Sequence, residues 1–102
     1  MGNIMNYYAL IYHLVEDYIS KRAEFRDEHL KFTNESNLRG ELVLAGAFTD
    51  PADRALLIFR VSDKSVIENF VVEDPYVKNG LVTKWEIRPW TVVIGNEKIR
   101  GV

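Results

Sequence analysis

The chain has 102 residues, of which 47% are hydrophobic and 27% are charged, and its formal net charge is −2. This balance excludes a basic field that would attract nucleic acid or an anionic membrane, and the absence of cysteine excludes disulfides and cysteine-based metal sites. No apolar run is long enough to span a bilayer, and the first residues do not form a signal peptide. We therefore expect a cytoplasmic protein with a single domain over residues 1–102.

The first half of the sequence predicts a strand, a long helix and two further strands. Residues 7–14 are aromatic and aliphatic, which is typical of a buried strand. Residues 15–38 have helical periodicity without an internal glycine or proline, and Gly40 is placed to end the helix in the left-handed conformation. Residues 41–48 and 55–61 are predicted to be strands, separated by residues rich in turn formers.

The second half predicts a short helix and a last strand. Ser62 or Asp63 can cap the helix, and Pro75 ends it because the residue before proline is pushed out of the helical region. Residues 83–94 alternate in polarity as a strand does, with an interruption at Pro89. The order β-α-β-β-α-β predicts an α+β, ferredoxin-like fold, in which two helices cover one face of an antiparallel sheet. The other face then needs solvent or a partner.

One row of cations in the first helix conflicts with its amphipathic pattern. At about 100° per residue, Arg22, Arg26 and His29 fall in the middle of the arc that should face the sheet. That arc is otherwise defined by Val15, Tyr18, Ile19, Ala23, Phe25, Leu30, Phe32 and Thr33. Buried guanidinium groups need partners. The row therefore indicates either structural ion pairs or a pocket for a small anionic ligand.

A histidine that acts as an acid or base needs a partner that orients its ring. Asp74 is the candidate, because it lies at the end of the second helix and is fixed there by Pro75. Its alternative role is simply to end that helix. Two histidines without cysteine do not indicate a dedicated metal site, and no cofactor-binding motif is present, so we expect neither a metal nor a cofactor.

These residues form a signature that resembles the YciI-like (YCII-related) family from about Met5 to Ile94. The matching segments are Tyr8-Ala9-Leu10-Ile11-Tyr12, Lys21-Arg22, Arg26, His29-Leu30, Gly40-Glu41-Leu42, Gly46, Asp74-Pro75-Tyr76-Val77, Gly80 and Pro89-Trp90. The resemblance implies a ferredoxin-like protomer in a homodimeric α+β barrel, with a core of about residues 5–94 and a tail at 95–102. It also implies an active site with His29 and Asp74 as catalytic residues and with Arg22, Arg26, Tyr76 and Tyr8 as substrate-binding residues.

Three functions are compatible with this pattern. The first is a cofactor-independent lyase or isomerase that uses the His29–Asp74 pair for proton transfer on a small anionic or aromatic substrate. The resemblance points to such chemistry, since some related proteins are dehydrochlorinases of chlorinated hydroxyquinols and muconolactone isomerases share the fold. The second is a non-catalytic, ligand-binding homodimer with a regulatory or stress-related role. The third is a structural interaction domain in which the cations form ion pairs, and the absence of a cavity beside them would favour it.

Overall fold

The computed structural model describes residues 4–95 and contains a counterpart of each predicted strand and helix. The strands are β1 (Asn6–Leu14), β2 (Leu42–Ala47), β3 (Arg54–Val61) and β4 (Val82–Pro89). The helices are α1 (Tyr18–Lys21), α2 (Arg26–Leu38), α3 (Ser65–Glu73) and α4 (Pro75–Lys78), and a 3₁₀ turn at Arg22–Glu24 lies between α1 and α2.

The strands form one antiparallel sheet in the order β2-β3-β1-β4, with the helices on one face. The predicted α+β, ferredoxin-like fold is therefore confirmed. Side chains of a strand alternate between the two faces of the sheet. On β1, Leu10 and Tyr12 point towards the helices and are 0% and 1% exposed. The side chains that form the core beneath the helices are those of Leu10, Tyr12, Leu42, Ala55, Leu57, Phe59, Val61, Ile67, Phe70 and Val71.

The prediction of one uninterrupted helix over residues 15–38 is wrong. Asp17 adopts a left-handed backbone conformation with φ 61°, and the chain tightens into the 3₁₀ turn before α2 begins. A 3₁₀ helix has about 3.0 residues per turn instead of about 3.6, so the angular pattern shifts at this point. Ile19 and Leu30, which the predicted arc placed against the sheet, are therefore 52% and 47% exposed.

The last strand is shorter than predicted. It ends at Pro89, which has no N–H to donate to a neighbouring strand. The Trp90 N–H still donates to the Tyr7 carbonyl at 2.9 Å, but residues 90–94 are not part of the strand. The predicted tail lies outside the described residues except for Gly95. Within residues 4–95, no helix has the length and apolar character that crossing a membrane requires.

The face of the sheet opposite the helices carries apolar side chains. Leu44 and Phe48 are 71% and 52% exposed, and they share a shallow depression with Leu56 and Ile58. Ile11 on the central strand is paired with Leu56 and is partly buried. This surface, which we call the open sheet face, is the part of the fold that the helices leave uncovered.

Candidate active site

Asp74 occupies the junction between α3 and α4. Its backbone is extended, with ψ 122°, as expected for a residue that precedes proline, so the predicted helix end at this point is confirmed. The sequence did not predict that α4 would begin immediately afterwards. Asp74 caps α4, because its Oδ1 accepts a hydrogen bond from the backbone N–H of Tyr76 at 3.0 Å. The side chain is 0% exposed, so its carboxylate points into the protein.

His29 lies in the first half of α2 and faces this carboxylate. Its Nδ1 is 2.7 Å from Asp74 Oδ1, so the predicted contact between the two side chains is present. The imidazole also stacks on the Tyr76 ring, with the two centroids 3.6 Å apart and the planes 6° from parallel. Because a carboxylate only accepts hydrogen bonds, the neutral ring carries its proton on Nδ1, and Nε2 remains an acceptor.

Tyr12 is a further partner of Asp74 that the sequence analysis did not identify. Its hydroxyl donates to Asp74 Oδ2 at 2.8 Å. Asp74 thus accepts hydrogen bonds from Tyr12, His29 and Tyr76, which offset the loss of hydration of a buried charge. Burial, the charge of Asp74 and this hydrogen bond raise the pKa of Tyr12 well above its usual range. A tyrosine on the apolar, buried face of β1 was the available signal, because a buried hydroxyl usually has a partner.

A cavity of about 220 Å³ lies beside His29. This is smaller than the roughly 300 Å³ at the lower end of pockets for drug-sized ligands, so it suits a compound with a single ring. Its polar lining includes His29, Arg22, Arg26 and Tyr76. The remaining lining residues are Tyr12, Leu14, Tyr18, Leu30, Thr33, Ala45, Gly46, Ala47, Ala55 and Leu57.

The two arginines bring positive charge to the rim of this cavity. Arg22 is half-buried, and its guanidinium carbon lies 5.3 Å from the centroid of the Tyr18 ring. Arg26 is exposed. Neither arginine forms an ion pair with a carboxylate within residues 4–95. Two guanidinium groups against the single carboxylate of Asp74 leave the site with a net positive charge, which favours an anionic ligand.

Tyr76 places a hydroxyl within the influence of both arginines. Burial, followed by the neighbouring Tyr18, raises the pKa of Tyr76 to about 12, and the charges of Arg22 and Arg26 partly oppose this increase. The rings of Tyr76 and Tyr18 meet edge to face, with centroids 5.8 Å apart. At neutral pH the Tyr76 hydroxyl is protonated, and it can donate a hydrogen bond to an anion.

Tyr8, a predicted substrate-binding residue, does not line the cavity. It lies four residues before Tyr12 on the same strand, or roughly 13 Å away along β1. Its side chain is partly buried and packs against the hydrophobic core. Of the predicted residues, His29, Arg22, Arg26 and Tyr76 line the cavity, and Asp74 lies directly behind His29.

A larger groove, of about 630 Å³, runs between α2 and β2. Its lining contains one ionisable side chain, Lys31, so it lacks the groups that acid–base chemistry requires. Within residues 4–95, no group of three or more histidine, aspartate or glutamate side chains is arranged to hold a metal ion. The chemistry available to these residues is therefore concentrated around His29.

Comparison with known proteins identifies the family. The model of the YCII-related domain matches residues 5–91. The chain belongs to the YCII-related domain family. None of the curated proteins compared with it matches the chain.

Two solved structures share the fold of this YCII-related protein. One is the 5-chloro-2-hydroxyhydroquinone dehydrochlorinase TftG of Burkholderia phenoliruptrix AC1100, in complex with 2,5-dihydroxybenzoquinone. It is 16% identical with a TM-score of 0.70, and the match covers 83% of this chain and 93% of TftG. The other, from Bacteroides thetaiotaomicron VPI-5482, is assigned as an antibiotic biosynthesis monooxygenase. It is 16% identical with a TM-score of 0.57, and the match covers 95% of this chain and 97% of the other.

Proposed function

We propose that this YCII-related protein is a cofactor-independent lyase or isomerase in which His29 transfers a proton on a small anionic ring compound. The observation that carries this proposal is the 2.7 Å contact between His29 Nδ1 and the buried Asp74, at the wall of a cavity that is also lined by two arginines without a carboxylate partner within residues 4–95. Nδ1 is engaged by the carboxylate, so Nε2 is the nitrogen that is free to exchange a proton with a ligand.

The reaction would proceed as an acid–base process. In an elimination, Nε2 takes a proton from the substrate, the electrons of the broken bond form a double bond, and a leaving anion departs with its bonding electrons. In an isomerisation, the proton returns from Nε2 to a different carbon. Arg22 and Arg26 would bind the anionic group and stabilise negative charge as it develops on the ring. Tyr76 would donate a hydrogen bond and provide the surface on which His29 is stacked.

The choice of substrate class rests on the cavity and on TftG. TftG is a dehydrochlorinase of 5-chloro-2-hydroxyhydroquinone, and the loss of hydrogen chloride is an elimination of the kind described above. A cavity of about 220 Å³ suits one such ring. We therefore propose a hydroxylated ring that is ionised, or becomes ionised, near neutral pH.

The decisive experiment separates catalysis from binding. Chloride release from 5-chloro-2-hydroxyhydroquinone is measured for the wild-type protein and for His29→Ala, and the affinity for 2,5-dihydroxybenzoquinone is measured by calorimetry. We expect His29→Ala to lose about 100-fold or more in turnover while it retains most of its affinity. The matched control is Asn34→Ala, because Asn34 is an exposed, uncharged residue of α2 that does not line the cavity.

Other outcomes would change the conclusion. Loss of affinity in His29→Ala, together with a wild-type protein that binds the quinone but releases no chloride, would favour the non-catalytic ligand-binding alternative. A wild-type protein that neither binds nor converts these compounds would contradict the proposed substrate class. The structural alternative is disfavoured by the cavity beside the cations and by the absence of intrachain carboxylate partners for Arg22 and Arg26 within residues 4–95.

We further propose that two copies associate through the open sheet face to form a homodimer. Leu44 and Phe48 are 71% and 52% exposed on this face, and covering them would remove apolar area from water. Sedimentation analysis of Leu44→Glu tests the interface, with Leu38→Glu as control. Leu38, at the end of α2, is similarly exposed, at 77% compared with 71% for Leu44. We expect a monomer for Leu44→Glu alone; a monomeric wild-type protein would refute the dimer.

A further inference from the structure

We propose that Tyr12 is a positioning residue of this site, which acts on His29 through the Asp74 carboxylate. The inference rests on the proposed role of His29 as the proton-transfer group. Tyr12 does not need to touch the substrate to have this effect. Its hydroxyl fixes the orientation of the carboxylate and withdraws part of the negative charge that His29 would otherwise face.

The geometry gives each oxygen of Asp74 its own donors. Oδ1 accepts from His29 Nδ1 at 2.7 Å and from the Tyr76 N–H at 3.0 Å, while Oδ2 accepts from the Tyr12 hydroxyl at 2.8 Å. The carboxylate has two equivalent orientations in isolation, but here it is held from both ends. Asp74 is 0% exposed and Tyr12 is 1% exposed, so bulk water is not in a position to replace the tyrosine hydroxyl.

This contact also connects the sheet to the catalytic helix. Tyr12 lies on the central strand β1, and Asp74 follows 62 residues later at the junction of α3 and α4. His29 reaches the same carboxylate from α2. The contacts Tyr12–Asp74–His29 therefore tie the orientation of the imidazole to an inner strand of the sheet.

The Tyr12 hydroxyl acts towards Asp74 only as a hydrogen-bond donor. Because burial and the neighbouring carboxylate raise the pKa of Tyr12 well above its usual range, Tyr12 stays protonated and always donates. A donor on Oδ2 reduces the charge that remains for the bond between His29 Nδ1–H and Oδ1, since the two bonds share one carboxylate. Loss of that donor should strengthen the His29 bond, and a stronger donor should weaken it.

A purely structural role for Tyr12 makes a different prediction. Tyr12 belongs to the hydrophobic core, so its replacement lowers stability whatever its effect on the site. In that case the state of His29 would not change while the protein remains folded. The bond between His29 and Asp74 must therefore be observed directly, and stability must be matched by a core variant that does not touch Asp74.

The test uses nitrogen NMR of the two ring nitrogens of His29, detected through the carbon-bound ring protons in the full-length protein with its imidazole neutral. In Tyr12→Phe, the Nδ1 resonance should move towards the position of an unprotonated nitrogen, because a stronger hydrogen bond lengthens the N–H bond. Site-specific 3-fluorotyrosine at position 12 is a stronger donor that is nearly the same size, and it should move the resonance in the opposite direction. The stability control is Phe59→Leu, a fully buried core substitution, which should leave the resonance unchanged.

Opposite displacements in the two Tyr12 variants, with none in Phe59→Leu, would establish the positioning role. An Nδ1 resonance that stays at its wild-type position in the fluorotyrosine protein would overturn it, and this protein is expected to fold even if Tyr12→Phe does not. The test requires no substrate, so its result is independent of the proposed reaction. If the His29 Nδ1 resonance shifts as expected but the protein shows no turnover, only the proposed function is refuted. If the resonance does not shift in an active enzyme, only the role of Tyr12 is refuted.

Discussion

Replacing Asp74 with asparagine tests the central pair of the site with almost no change in volume. The carboxylate accepts hydrogen bonds from Tyr12, His29 and the Tyr76 N–H. Asparagine keeps one acceptor oxygen, but its NH₂ group must face at least one of these donors. A hydrogen bond to a buried charged group contributes about 1.5–3 kcal/mol. Because asparagine also removes the cost of burying a charge, we expect a net loss of about 2 kcal/mol in the free energy of unfolding.

The second consequence concerns the His29 proton. The amide oxygen is expected at the position of Oδ1, which accepts from both His29 Nδ1 and the Tyr76 N–H, and the NH₂ group then donates to the Tyr12 hydroxyl. The neutral amide no longer stabilises the positive charge that His29 acquires when Nε2 takes a proton from a substrate. We expect Asp74→Asn to lose chloride-releasing activity by at least about 100-fold.

Urea denaturation measures the first effect, and chloride release measures the second. The matched control is Asp53→Asn, because Asp53 is an exposed aspartate outside the site. An Asp74→Asn protein as stable as the wild-type protein would refute the expected loss in the free energy of unfolding. An Asp74→Asn protein with wild-type turnover would refute the proposed role of the carboxylate.

Three further outcomes are expected. Arg22→Ala should weaken the binding of 2,5-dihydroxybenzoquinone about tenfold, or about 1.4 kcal/mol, and Arg26→Ala should weaken it less, because Arg26 is more exposed; calorimetry that gives the wild-type affinity for both would contradict an anion-binding role. Gly40→Ala should lower the free energy of unfolding by about 1 kcal/mol, since φ is +81° at this position, and an unchanged urea midpoint would count against this. The pKa of Tyr76 is raised from 10.0 to about 12, so the unfolded chain loses this proton first. The contribution of Tyr76 to stability is therefore complete below about pH 10 and is lost as pH rises to about 12. Urea titrations across this range should show that the free energy of unfolding declines less with pH in Tyr76→Phe than in the wild-type protein. Equal declines would refute the raised pKa of Tyr76.

The local signals in the sequence were reliable where a single residue constrains the backbone. Gly40 ends α2 with φ +81°, as predicted, and Asp74 before Pro75 ends α3. Both are properties of the residue itself: glycine lacks a Cβ, and proline restricts the residue that precedes it. Such effects do not depend on what lies across the fold, so they can be predicted from neighbouring residues alone.

The break in the first helix could not be predicted from such local effects. Its pattern contained no glycine or proline, and yet Asp17 and the 3₁₀ turn at Arg22–Glu24 divide it. Periodicity assumes a constant rotation per residue, and it cannot reveal a turn in which that rotation changes. Arg22, Arg26 and His29 still reach one cavity, because the break shifts the arc without moving these residues to the opposite side.

By itself, the sequence determined the order of the elements, the ferredoxin-like class and the unusual row of cations, because each follows from residue types and their spacing along the chain. It also indicated His29 and Asp74 as a pair. Only the tertiary structure decided that Tyr12 would share the Asp74 carboxylate and that Tyr8 would lie outside the cavity. Those facts depend on the register of β1 against β3 and β4 and on where α2 and α4 cross the sheet, and such distances between remote segments are fixed only when the core is packed.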